Sequence, residues 1–547
     1  MIYADPKEMK TMAAVRTLAT ASLLALSAFG LALPASAAST PSKDQIEATM
    51  KRATRFMVED VSTHGGYVWS YLPDLSRRWG ELEATPDMIW VQPPGTADMG
   101  NLFLDAYHAT GDEYYYQAAE KAADALIAGE IPTGGWNYFI DFGGPEATKH
   151  FYDTVGKNAW RLEEFQHYWG NATFDDNGTA ESLKFILRLY AEKFDPKYGA
   201  EVRRDVDFIL DSQYPSGGWP QRWPLRHEFV HHGLADYTSY ITFNDDVTAE
   251  NVDYLIMANE VLQDPRLMPA IHRGMDIYLL TQQGQPQPGW ALQYTPDDLK
   301  PAAARSYEPK ALATHTTASA IKQLMNFYRL TGDSRYLARI PEALDWLESV
   351  KLPPNLVKNG REYPTFIEIG TGKVLWLHRT GSNVTNGHYY TSDDPENVIG
   401  HYGSTRAIDV PALRREYERL KAMPVAEVTR DSPLKPGPAK HLPRYYLTDI
   451  EPGSDLNTDT GSKSVGELVS SLNSQGWWPT MLKTTSNPYR GPSPETVAPG
   501  DYQSRYVGDA TDTSPYPSDH PVIGISTGTY MENMERLIAA LHPQPGQ

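Results

Sequence analysis

Two short acidic stretches carry the side chains best suited to chemistry. Phe174-Asp175-Asp176-Asn177-Gly178-Thr179-Ala180-Glu181 and Ile241-Thr242-Phe243-Asn244-Asp245-Asp246 each set two acids and an asparagine just before a helical pattern. Such residues cap helices and form turns, and that role alone would account for either stretch. Two acid clusters that end two separate long loops are more than capping needs. Carboxylates and Asn carbonyls are also hard oxygen ligands, suited to Ca2+ or Mg2+. A third segment, Trp290–Tyr294 followed by Pro301–Pro309, flanks Tyr307 with Arg305 and Glu308. The pair is either a surface ion pair of small worth or part of a site. A fourth runs from Thr365 to Gly370 and then through Leu377-His378-Arg379. It ends a strand-like run on an arginine that is either a substrate clamp or an ordinary surface residue.

The elements that must hold these segments are helical. Asn101–Ala109 and Glu113–Ala128 flank Thr110-Gly111-Asp112, and Ala318–Leu330 and Ser334–Val350 flank Thr331-Gly332-Asp333. In both, glycine ends one helix and aspartate caps the next. Glu181–Ala191 with Glu201–Gln213 is a further pair. A Gly-aromatic loop recurs at Gly66-Tyr67, Gly135-Trp136, Gly218-Trp219 and Gly289-Trp290, with spacings of 69, 83 and 71 residues. Helix pairs separated by such loops predict a mainly α fold, an (α/α) toroid or incomplete barrel of helical hairpins with long loops on one face. Few short strands are expected, one hairpin among them at Thr365–Trp376. The stretch Gly217–Glu250, with His227, His231 and His232 and many aromatics, reads as the lining of a site. After about Met423 prolines and aromatics mix. That composition predicts an ordered, irregular C-terminal extension ending in a packed helix over Tyr530–Leu541.

Composition sets the outer limits. The net charge is −20, which argues against nucleic acid and an anionic membrane surface as partners. There is no cysteine, so disulfides, zinc–thiolate sites and thiol nucleophiles are excluded. The 33 tyrosines and 13 tryptophans suit a carbohydrate or another extended polar ligand as well as they suit a helical core. Lys10 and Arg16 precede an apolar run from Leu18 to Leu33, with Ala35 and Ala37 as small residues before a cut. This predicts a signal peptide over 1–37 and a secreted or periplasmic protein. The expected organisation is then a catalytic toroid over 38–430 and an extension over 431–547 that wraps it, as a monomer.

The four segments together resemble polysaccharide lyase family 10, the pectate lyases with an (α/α) toroid. The resemblance rests on Asp176–Ala180, Gly217–Gln221, Ile241–Asp246, Trp290–Tyr294 with Ala302–Glu308, and Glu368–Arg379, and it covers roughly 160–420. It implies that Arg305 is the catalytic base, with Asp176 as an essential acid assisting it. Asp245 would bind a catalytic Ca2+, with Asn244 and Asp246 beside it, and Arg379 would clamp a substrate carboxylate. Trp219, Gln221, Trp290, Gln293, Asn177, Lys373 and Glu308 would complete the substrate contacts. The implied activity is β-elimination on polygalacturonate or a related acidic polysaccharide. The C5 proton of a uronate is very weakly acidic, and a cation and arginine charge on its carboxylate would stabilise the enolate-like transition state. Arginine is an unusual base, because its pKa lies above about 12. It serves only when dehydrated and crowded by positive charge.

The chain departs from the family pattern in places. Thr179-Ala180 reverses the usual order, the Arg222–Tyr240 loop is longer, and Pro364-Thr365-Phe366 lacks an expected arginine. Lys373 stands where another arginine is usual. Two other readings stay open: a glycoside hydrolase on the same kind of toroid, using Asp176 and Asp245 as paired carboxylates, or a non-catalytic carbohydrate-binding protein.

Overall fold

A computed structural model describes residues 41–159, 163–226, 236–380, 388–396, 398–399, 405–435, 437, 457–458, 461, 463–486 and 515–541. The expected signal peptide, the His227/His231/His232 loop and most of the C-terminal extension lie outside these residues.

The helices are α1 (Lys43–Phe56), α2 (Thr96–Thr110), α3 (Glu113–Ala128), α4 (Pro145–Thr154), α5 (Gly178–Lys193), α6 (Pro196–Ser212), α7 (Val247–Leu262) and α8 (Leu267–Thr281). They continue with α9 (Thr314–Thr331), α10 (Ile340–Ser349), α11 (Val410–Ala422), α12 (Val425–Val428), α13 (Val465–Ser471) and α14 (Thr527–Leu541). The pairs α2/α3, α5/α6, α7/α8 and α9/α10 are the hairpins. Gly111 and Gly332 adopt φ of 73° and 71° at the ends of α2 and α9, the left-handed cap that glycine reaches without strain. Asp112 and Asp333 then accept from the backbone N–H of Tyr114 and Arg335. After Asp333 the chain first makes a 3-10 turn, Ser334–Leu337, and α10 begins only at Ile340, with Pro341 in its first turn.

The helices form two layers. α2, α5 and α7 are buried on nearly every side, as helices at the centre of a fold must be. α14 packs on α2 and α1, so the end of the chain sits beside its first hairpin. The Thr54 hydroxyl lies 2.7 Å from the Tyr530 hydroxyl across that contact. α3 and α6 bury one face each and form the outer layer.

The three Gly-Trp loops are pinned to this frame in a similar way. The indole N–H groups of Trp136, Trp219 and Trp290 donate to the carbonyls of Leu126, Ile209 and Tyr278, at the end of the preceding outer helix. The backbone N–H of Trp136 and of Trp290 donates to Thr179 Oγ1 and Thr317 Oγ1 on the next inner helix. Trp478 after α13 repeats the indole bond, to the Leu468 carbonyl. The long loops are stapled to one another by short antiparallel pairs: Met88–Trp90 with Phe139–Asp141, Ala172–Thr173 with Arg222–Trp223, and Ile241–Thr242 with Gln293–Tyr294. The hairpin expected near residue 370 is present, with Phe366 opposite Leu375. The fold is therefore mainly α, an (α/α) toroid with its long loops knit into one surface.

Candidate active site

The two acidic stretches become two equivalent turns. Asp175–Asn177 precedes α5 and Asn244–Asp246 precedes α7, and the two turns touch. Asp176 and Asn177 have φ of 49° and 60°, and Asp245 and Asp246 have φ of 50° and 53°. Left-handed backbone is uncommon outside glycine but tolerated by Asp and Asn, and paired occurrences mark a turn held by its surroundings. The turns deliver Asp175, Asp176 and Asp245 to the N-terminal ends of two inner helices, where negative charge is favoured.

Arg305 lies at the centre, 3% exposed. Its guanidinium bonds to Asp175, and Nη1 donates to Glu308 Oε1 at 3.0 Å. Asp245 Oδ2 lies 3.7 Å from Nη1, and Glu164 Oε2 lies 3.8 Å from Nε. Glu308 also accepts from the Arg305 backbone N–H at 2.9 Å, so a tight 305–308 turn fixes both side chains. Gln293 and Asn244 donate to Glu308 from the neighbouring loops. The Tyr138 hydroxyl donates to Asp175 at 2.5 Å. Tyr307 donates to Glu164, and the Ser306 backbone N–H donates to Glu163.

Beside this shell stands a second group. Glu81, Glu164 and Asp176 bring one carboxylate oxygen each to within 4.8 Å of one another, all buried. Gln92 donates to both Glu81 and Asp176, at 3.0 and 2.9 Å. The electrostatics of the whole cluster are lopsided. Burial, then the charges of Asp245 and Asp175, push Asp176 well above the usual carboxylate range. Burial, then Asp175, push Asp245 up as well. Burial raises Glu163 to about 7. Burial also opposes ionisation of Asp175, but Arg305 and hydrogen bonds from Asp245 and Tyr138 outweigh it and hold Asp175 below its ordinary value. The Asp176 Oδ1 atom is buried without a hydrogen-bond partner. An oxygen-only donor set with surplus negative charge and an unpartnered carboxylate oxygen fits a hard divalent cation.

The structure sorts the residues singled out by sequence. Arg305, Asp176, Asp245, Asn244, Glu308 and Gln293 converge. Within that group, Glu308 and Gln293 are 1% and 2% exposed and serve to orient Arg305, in place of the expected substrate contact. Trp219 and Trp290 need the same correction. Both are fully buried, with their indole N–H groups spent on helix carbonyls, so no ring face is left for a sugar. Gln221 is buried, and its carbonyl accepts from the Phe174 N–H, fixing the acidic turn. Asp246 points away from the cluster. It is exposed and accepts from Ser319 on α9, so it does not share a metal site with Asp245. Asn177 is half-buried at the head of α5, with a buried, unpartnered Oδ1. Lys373 is exposed at the hairpin turn, where its backbone N–H bonds to Thr371. Arg379 lies on Val374–Thr380 opposite Tyr389, and its side chain falls outside the described residues.

Sequence reasoning missed Glu81, Gln92, Tyr138, Glu163, Glu164 and the central role of Asp175. Glu81, Gln92 and Tyr138 come from loops far from the acidic turns in sequence, and Glu163 and Glu164 from a nearby stretch with no signature of its own. Asp175 had a local signal, since it abuts Asp176 in an acid pair that a cap does not need.

Residues 147–380 match the family model described as pectic acid lyase. No curated protein matches the chain. Among solved structures, a family 10 polysaccharide lyase from Cellvibrio cellulosa is 18% identical, covering 58% of this chain and 91% of that one, with a TM-score of 0.36. A point mutant of the Cellvibrio lyase, in complex with trigalacturonic acid, is 17% identical over 61% of this chain and 93% of that one, with a TM-score of 0.35. The GH76A α-1,6-mannanase from Salegentibacter is 11% identical over 92% and 100%, also at 0.36. Scores this low carry no conclusion about this chain. The family match spans both acidic turns and the Arg305 turn, so residues 147–380, which hold the candidate site, are a segment similar to the pectic acid lyases.

Proposed function

We propose that the protein is an exported, Ca2+-dependent lyase that cleaves polygalacturonate, or a closely related uronate polymer, by β-elimination. The observation that carries this reading is Arg305, buried among Asp175, Glu308, Asp245 and Glu164 inside the matched segment. A single cationic side chain ringed by carboxylates at the head of two inner helices is a charge relay between an anionic sugar and a cation site. Glu81, Glu164 and Asp176, with Asp245 adjacent, are the residues that would hold Ca2+. Bound there, the ion would neutralise these acids and polarise the uronate carboxylate.

Arg305 is the group proposed to meet the C5 proton. Left to themselves, its four carboxylate neighbours favour the charged guanidinium, the opposite of what a base needs. Asp175 and Glu308 hold the side chain in one geometry, so its orientation is set before substrate arrives. Its readiness to accept a proton is then governed by how much negative charge the surrounding acids still carry. This ties proton abstraction to high pH and to neutralisation of the acids. Export rests on the segment 1–37, and a mature N-terminus at Ala38 would support it.

The deciding experiment is a screen of uronate polymers with and without a chelator, read at the near-ultraviolet absorbance of the 4,5-unsaturated product. Absorbance that grows on polygalacturonate and is abolished by chelator supports the reading. New reducing ends without absorbance would mean hydrolysis and would overturn it.

A further inference from the structure

A second cluster of acids lies between the outer helices, apart from the residues just described. Glu130 follows the end of α3, and Glu201 and Asp205 sit one turn apart on α6. One carboxylate oxygen from each comes within 4.8 Å of the others. The site is built from buried groups: the Glu130 and Glu201 side chains are 1% and 8% exposed, and Asp205 is fully buried.

Asp205 is the feature that a hairpin contact does not explain. Both of its carboxylate oxygens are buried and neither has a hydrogen-bond partner. An ionised carboxylate in that state is costly, and even a neutral one forfeits its hydrogen bonds. Burial first, then the Glu201 charge, push Asp205 far above its ordinary value. The Tyr254 hydroxyl from α7 is also buried without a partner, and it feels the Asp205 charge. The cation in contact is Arg204, whose guanidinium bonds to both Glu130 and Glu201. Its side chain is 53% exposed and covers the cluster from the solvent side. It bonds to two of the acids, and it acts on the third, beneath them, only through its charge.

We propose that Glu130, Glu201 and Asp205 form a structural site for a hard divalent cation that ties α3 to α6. All three donors are carboxylates, with no imidazole or thiolate, which selects Ca2+ or Mg2+ over zinc or copper. The ion clamps the outer helices of two adjoining hairpins, and Arg204 is the lid that ion entry must displace. It plays no part in the chemistry at Arg305.

The test counts ions and stability together on the full chain. Protein stripped with EDTA is dialysed against CaCl2 or, separately, MgCl2. Bound metal is measured by emission spectroscopy and Tm by calorimetry, for wild type and Asp205→Asn. Wild type should hold one more ion per chain than the variant and show a larger ion-induced rise in Tm. Asp205→Asn should keep wild-type turnover at saturating Ca2+. Equal ion counts with equal Tm responses would overturn the site and leave Asp205 a neutral buried acid. Arg204→Ala, at an exposed position, supplies a second measurement should Asp205→Asn not fold. Removing the lid should tighten ion binding by about threefold or more. An unchanged or weaker midpoint would overturn the proposal as well.

Discussion

Asp176→Asn separates the stability of the acid cluster from its use. The substitution preserves shape. The asparagine carbonyl still accepts from Gln92, and its amide can donate to Glu81 or Glu164, whose oxygens lie within 4.8 Å. What it removes is a titratable carboxyl, buried and already crowded by Asp245, Asp175, Glu81 and Glu164. The folded-state pKa of Asp176 lies above its ordinary 3.8, so below that value the folded and unfolded chains are both protonated there and no penalty exists. As pH rises above 3.8 the unfolded chain releases the proton and the folded chain keeps it. Wild-type stability therefore falls with pH across the window between the two pKa values, by about 1.4 kcal/mol per pH unit. The substituted amide cannot titrate in either state, so the variant lacks this loss of stability.

For a chain of 547 residues the unfolding entropy is about 1 kcal/mol/K, so the two proteins should diverge by about 1 °C in Tm per pH unit. In EDTA, Asp176→Asn should therefore unfold at a higher temperature than wild type, with the gap widening by about 1 °C per pH unit as pH rises above 3.8 toward the folded-state value. In saturating Ca2+ the order should reverse, because wild type retains the ligand and the variant has lost it. Turnover on polygalacturonate should drop by about 100-fold or more. The assay is scanning calorimetry at several pH values, with and without chelator, beside the product absorbance. A variant less stable than wild type in EDTA at pH 7, or a gap independent of pH, would refute the account of the cluster.

Other substitutions test other parts of the site. Arg305→Ala should lower kcat by about 10²–10⁴-fold in the absorbance assay with little change in Tm response to Ca2+, and full turnover would sink its assignment. Trp219→Phe should cost about 0.5–1.5 kcal/mol of stability for the lost indole bond, measured by denaturant unfolding, and leave KM unchanged; a raised KM would restore the ring to a substrate subsite. Gly217→Ala should be among the most damaging single changes in the scaffold. Gly217 has φ of 111°, and an added Cβ would fall 1.9 Å from the Arg273 carbonyl oxygen. A loss of more than about 1 kcal/mol is expected from the backbone alone, read as a drop in Tm and soluble yield.

The legible part of this protein was the part written locally. Gly111-Asp112 and Gly332-Asp333 stop one helix and start the next through backbone conformation and a single side-chain bond, so sequence alone places those hairpins. The Gly-Trp loops are legible as a recurrence, but the family resemblance places two of their tryptophans, Trp219 and Trp290, on substrate. A tryptophan after two glycines looks like a sugar platform, and only packing reveals that its indole is consumed by a helix carbonyl ten residues earlier at Trp136 and Trp219. Glu81, Gln92 and Glu164 were illegible for a related reason. Each belongs to a loop with no internal signature, and its role comes from the toroid bringing that loop beside Asp176. Asp246 shows the limit from the other side. It adjoins Asp245 in sequence, yet with both residues in left-handed backbone the two side chains diverge, one to Arg305 and one to Ser319.

The two acidic turns also explain each other. Thr173-Phe174-Asp175-Asp176-Asn177-Gly178-Thr179-Ala180-Glu181 and Thr242-Phe243-Asn244-Asp245-Asp246-Val247-Thr248-Ala249-Glu250 align residue for residue, 69 positions apart. They share the left-handed pair, the buried threonine at the second position of the helix, and the glutamate two residues on; Lys184 bonds to both glutamates. The site is thus two copies of one helix-head device, set side by side because α5 and α7 are neighbours in the inner layer. Their differences then carry the function. Where the first copy has Asp175, an ion partner of Arg305, the second has Asn244, an amide that donates to Asp245 and Glu308. A carboxylate in both places would add a further charge to a cluster that already drives Asp176 and Asp245 up. An amide in both would leave Arg305 without its closest partner. The asymmetry between the copies lets one arginine be held by a ring of acids while part of that ring stays available to a cation.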